Sequence, residues 1–134
     1  MGTTPTTAGG TQILSASITP TNSSHILVIE YSYWCGGTHN AATGGIISAL
    51  FQDATVNAIY SQVDIETPST IQSAFGTNVK GIFYMTAGTT SSTTFKVRIG
   101  GYGGVPNWFF LEDSAGTGMG GTQFASITIT EYTP

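Results

Sequence analysis

Apolar and polar side chains alternate with period two along most of this chain. Between 11 and 18, Gln12, Leu14, Ala16 and Ile18 fall on one side, and Ile13, Ser15 and Ser17 on the other. Such alternation puts successive side chains on opposite faces of an extended strand. Comparable runs at 25–35, 45–53, 58–63, 79–86, 93–101, 108–112 and 122–132 bring the expectation to about eight strands. Turn chemistry separates them, as at Pro20-Thr21-Asn22-Ser23-Ser24. Ile, Val and Thr supply 42 residues against four Leu and two Lys. β-branched side chains suit a pleated surface and crowd a helix turn. The predicted fold is therefore all-β: an antiparallel β-sandwich of jelly-roll type with no significant helix.

Two segments depart from clean alternation. In 25–35, Ile26, Val28 and Trp34 share a face with Glu30 and Ser32, while Leu27, Ile29, Tyr31 and Tyr33 fill the other. Trp108-Phe109-Phe110-Leu111 is also apolar on both sides. A solvated sheet face has no use for such residues, so a cover is expected, first from a second copy of the chain and alternatively from loops of the same chain over a central strand. At 134 residues there is material for one domain. Residues 1–10, rich in Thr, Gly and Pro, read as a linker or fibre-derived segment, and 11–134 as a single sandwich domain.

Charge removes several functions. Only 7% of residues are charged, against about 25% in an average soluble domain. The cations are Lys80, Lys96 and Arg98, and the net charge is −4. That supply cannot build the basic stripe that duplex nucleic acid requires. No apolar run approaches the ~18 residues of a membrane helix. Neither nucleic acid nor membrane is expected as a partner. The N-terminal residues carry no basic, hydrophobic leader, so no secretory signal is expected there. Cys35 stands alone, which excludes an internal disulfide.

Catalytic chemistry finds little material. His25 and His39 are the only histidines. No His-Glu-x-x-His or paired-cysteine spacing occurs, so neither metal nor cofactor is expected. No Gly-x-Ser-x-Gly elbow is present. Glu112 and Asp113 are adjacent, which on a strand sends them to opposite faces. Gly116-Thr117-Gly118-Met119-Gly120-Gly121 has the spacing of a dinucleotide loop, but a β-branched segment follows it instead of a helix. Cys35, beside Trp34, reads as a buried thiol. Lys96 and Arg98 share one strand face and are expected to pair with Glu30 or Glu131. The chain is not expected to be an enzyme.

Binding residues are easier to nominate. Gly100-Gly101-Tyr102-Gly103-Gly104-Val105-Pro106-Asn107-Trp108 joins two aromatics to four glycines and an Asn. Flat rings with a polar handle suit stacking and interface contacts. A second long polar loop carries His39 and Asn40. Tyr102, Asn107, Trp108, His39 and Asn40 are the expected ligand-binding residues, with a core position the equal alternative for Trp108.

Several segments resemble a family of phage virion domains at the ends of tail fibres. They are Gly10-Thr11-Gln12-Ile13-Leu14 through Pro20, Ser24-His25-Ile26-Leu27-Val28, the block Ala49-Leu50-Phe51-Gln52-Asp53, Thr94 to Gly100, and Ser126 to Glu131. The resemblance covers most of 10–132 and implies a jelly-roll head that associates as a homotrimer. It implies a virion location, other virion proteins as partners, and contact with a host-surface glycan or protein. It carries over no ligand residues. A capsid decoration or tail structural protein is the first alternative, and a bacterial carbohydrate-binding module the second.

Overall fold

A computed structural model describes residues 4–38, 43–67, 74–103, 107–111 and 123–134. Among them are eight strands and no helix: β1 (Thr11–Ile18), β2 (Ile26–Thr38), β3 (Gly44–Gln52), β4 (Tyr60–Thr67), β5 (Ala74–Thr86), β6 (Thr93–Gly103), β7 (Asn107–Phe110) and β8 (Ser126–Tyr132). They form two antiparallel sheets. The first has the order β1-β6-β3-β4. In the second, β5 lies on one edge of β2, while β7 and β8 follow one another along its other edge. β3 and β4 form a hairpin within the first sheet.

Period two decides what each sheet buries. Leu27, Ile29, Tyr31, Tyr33 and Cys35 of β2 point inward with Val79 of β5. Ile46 and Leu50 of β3, with Phe95, Val97 and Ile99 of β6, meet them from the first sheet. These large side chains lose nearly all contact with water, a gain of roughly 1.5–3 kcal/mol for each fully buried aliphatic or Phe. An irregularity in the pairing of β1 with β6, between Gln12 and Leu14, brings Ile13 as well as Leu14 against the core.

The expected ion pairs of Lys96 and Arg98 with Glu30 or Glu131 do not form. Both cations sit on the outer face of the first sheet, while both carboxylates belong to the second. Lys96 Nζ donates to the Asp53 carbonyl at 2.7 Å. Arg98 donates from Nε to the Gly9 carbonyl and from Nη2 to that of Gly10, at 3.0 and 2.7 Å. Arg98 thereby holds residues 4–10, the segment expected as a linker, along the sheet. Thr6 bridges to Asn57, the Thr7 amide donates to Val56, and the Ala58 amide donates to Pro5.

Carboxylates fasten the turns. Asp53, at φ 51°, accepts from the Thr94 amide and the Thr93 hydroxyl at 2.7 and 2.9 Å. Asp tolerates that left-handed backbone better than most residues. Glu131 closes the β1–β2 turn. Its carboxylate accepts from the Thr21 and Asn22 amides, the Thr21 hydroxyl and His25 Nδ1. Partial desolvation alone would raise the Glu131 carboxyl, but these donors outweigh it and hold the group below its ordinary 4.5. A depressed pKa adds stability above the unfolded value and loses it as pH falls through the folded one. Glu131→Gln is therefore expected to lower the urea midpoint at neutral pH. The difference from wild type should begin to shrink as pH falls past 4.5 and be lost as pH passes through the lower folded value.

Candidate functional site

The strongest local chemistry lies between the sheets. Asp64 is the extra residue where β4 slips against β3 at Ile46 and Ile47. A bulge re-aims a side chain, and here the carboxylate turns inward. Tyr33 Oη donates to Oδ2 at 2.9 Å, while Ser48 Oγ and Gln62 Nε2 donate to Oδ1 at 2.7 and 2.9 Å. The Ser48 proton is spent on Asp64, so Tyr31 Oη must donate to Ser48 Oγ, at 3.3 Å. Gln62 also accepts from Tyr60 and donates to the Lys80 carbonyl of β5.

Burial pushes the Asp64 carboxyl up, and its three donors pull against that rise. Burial pushes the Tyr33 phenol up as well, and takes Tyr31 and Cys35 to about 12 each. Ser48, Tyr33 and Cys35 are sealed from solvent. A carboxylate held by three donors, with a serine that has already committed its proton, offers no attacking or proton-moving group to a substrate. It is a polar pin through the core, joining β4 to β2 and β5.

The predicted binding residues part company. Tyr102 of β6 lies on the outer face of the first sheet, its ring across Gly45. Burial and the Glu66 charge raise its phenol. Asn107 is exposed, opposite Thr38. Trp108, opposite Gly37, turns its half-buried ring against the core. His39 and Asn40 lie outside the described residues. The registers do gather strand ends at one pole of the sandwich: Gly44 with Thr67 and Gly103, and Thr38 with Ala74 and Asn107. Tyr102 and Trp108 reach that pole from two different sheets and face different ways.

The outer face of the second sheet holds a candidate surface that the nominated residues did not include. Even-numbered residues of β2 point there: Ile26, Val28, Glu30, Ser32, Trp34 and Gly36. The Trp34 ring lies against Gly76 of β5, and the Phe109 ring against Gly36, so closely that a Cβ at either glycine would clash with the ring. The two rings are 5.6 Å apart and within 23° of parallel. They form one aromatic platform across three strands. The apolar character of 108–111 thus has a cover within the chain: Phe109 packs on Trp34, and Trp108 and Phe110 on the core.

Beside the platform, Glu30, Ser32, Lys80, Ile82, Ser126 and Thr128 line a shallow depression of about 290 Å³. Beyond it the face turns apolar, with Tyr84 opposite Val28 and Tyr132 opposite Ile26. Tyr84, Tyr132 and Ile82 are 64%, 55% and 47% exposed. Trp34 shares its face with Glu30 and Ser32 in the sequence, which was a usable signal. The glycine floor and the Phe109 register were not legible. No family model and no curated protein matches the chain.

Removing the Asp64 carboxylate strands the Tyr33 and Ser48 hydroxyls. Asp64→Ala is expected to cost about 1–3 kcal/mol by chemical denaturation. Asp64→Asn keeps an acceptor and should cost less. A raised carboxyl pKa gives stability that is full below the unfolded value, 3.8, and declines as pH rises through the folded one. Asp64→Asn should therefore gain on wild type as pH rises, and a difference independent of pH would contradict this.

Proposed function

We propose that this chain is a non-enzymatic phage virion domain of jelly-roll type, the tip of a tail fibre or spike. It assembles as a homotrimer beside other virion proteins and binds a host-surface glycan or protein. The observation that carries this reading is the division of labour among side chains. Asp53, Asp64, Glu131, Lys96 and Arg98 are engaged in holding the fold. What faces outward on the second sheet is an aromatic and hydroxyl-bearing surface that ends in an apolar patch.

Ile82, Tyr84 and Tyr132, grouped around Val28, support self-association, because apolar surface of this kind gains by leaving water. Closed threefold symmetry ends a fibre without leaving an open contact. Three sites on one tip multiply weak single-site binding. A surface with few charges also makes contacts that salt screens little. The same patch favours a second reading, a capsid decoration or tail structural protein, in which it serves only to join protein to protein.

Sedimentation of the purified chain tests the assembly. A species three times the 13.9 kDa chain is expected. Tyr84→Lys should weaken association by about 30-fold, as loss of a central contact of about 2 kcal/mol does. A wild-type monomer at micromolar concentration would overturn the trimer. Retention on bacterial envelopes then separates the readings. A trimer held by at least one strain of a broad panel supports host recognition, whereas a trimer held by none supports the structural role.

A further inference from the structure

We propose that the Trp34–Phe109 platform and the polar depression beside it bind an oligosaccharide chain. A pyranose presents a flat C–H face, which stacks on aromatic rings, and a hydroxyl edge, which both donates and accepts hydrogen bonds. The outer face of the second sheet offers both complements side by side. Trp34 and Phe109 lie flat on Gly76 and Gly36, and those glycines fix the rings before any ligand arrives. Little side-chain freedom is then lost on binding.

Next along β2, each step about 7 Å further on, come the row of Ser32 with Lys80 and Ser126, then that of Glu30 with Ile82 and Thr128. Lys80 only donates, a Glu30 carboxylate only accepts, and the three hydroxyls do either. Together they match the mixed valence of sugar hydroxyls. Glu30 and Lys80 are exposed. Among the described residues neither Glu30 nor Lys80 takes part in an ion pair, which leaves both charged groups for a ligand.

The same chemistry argues against a second copy here. The core of a protein interface is depleted in charge, and among the described residues this end of the face carries Glu30 and Lys80. The apolar end, at Tyr84 and Tyr132, has neither. The occupant expected is a chain several sugars long, lying along β2 with one ring on the platform.

This assignment rests on the reading of the domain as a recognition module and narrows its ligand to a saccharide. The test is a glycan array of bacterial lipopolysaccharide and capsular oligosaccharides, probed with wild type, Trp34→Ala, Phe109→Ala and Lys80→Met. The Lys80 side chain is exposed on the outer face, so its variant should remain folded and associate as wild type does, which sedimentation checks. Retention of some glycans is expected, with each variant losing about tenfold or more in affinity, equivalent to roughly 1.4 kcal/mol. A blank array overturns the inference. So does binding that all three variants keep unchanged. If envelopes still retain a protein that the array does not, the saccharide site fails while the recognition reading survives. If envelopes retain nothing either, both fail.

Discussion

The thirteen residues of β2 carry a constraint that no other strand relieves. The strand is paired on both edges, so its side chains have only two places to go. Inward, Leu27, Ile29, Tyr31, Tyr33 and Cys35 become the centre of the core. Outward, Trp34, Ser32, Glu30 and Val28 become the spine of the exposed surface. A register slip of one residue would exchange the two sets. The fold and the proposed function are thus two faces of a single strand.

The rest of the chain secures that strand. Asp64 reaches Tyr33 from the opposite sheet, through the bulge in β4. A buried carboxylate is costly unless it is well supplied with donors, and three side chains supply it. Glu131 fixes the turn that leads into β2. On the outer face, glycine takes the place of a side chain beneath each platform ring, so two large aromatics lie down instead of standing in solvent. Gly81 does the same service inside, under Tyr31. With so few ionisable groups, the molecule has spent most of those described on backbone and core positions.

Much of the fold was legible in the sequence because period two is a strong local signal. All eight strands were anticipated, β1 with its present bounds. β5 begins five residues earlier than expected, because Ala74 to Asn78 read as loop in isolation and are ordered by pairing with β2. Pairing across sheets was not legible. Nothing local says that Lys96 and Glu30 belong to different sheets, so the expected ion pairs had no geometric basis. Nor could spacing reveal that β7 and β8 share one edge of β2, the fact that brings Phe109 beside Trp34. The nominated aromatics, Tyr102 and Trp108, were chosen for their glycine-rich loop, and the registers send one to an outer face and the other to the core. The second apolar face of β2 was legible as a surface needing cover. In the structure part of that cover is Phe109, and the uncovered remainder moves to Tyr84, Ile82 and Tyr132.

The central claim is that one face serves two purposes, association at its apolar end and recognition at its aromatic end. Hydroxyl-radical footprinting of the assembled protein, read by mass spectrometry, tests it directly. Tyr84 and Tyr132 should be protected from oxidation in the oligomer and labelled after dilution to monomer, while Trp34 is labelled in both until a bound glycan shields it. Labelling of Tyr84 and Tyr132 in the oligomer as fast as in the monomer, or protection of Trp34 by assembly alone, would contradict the account.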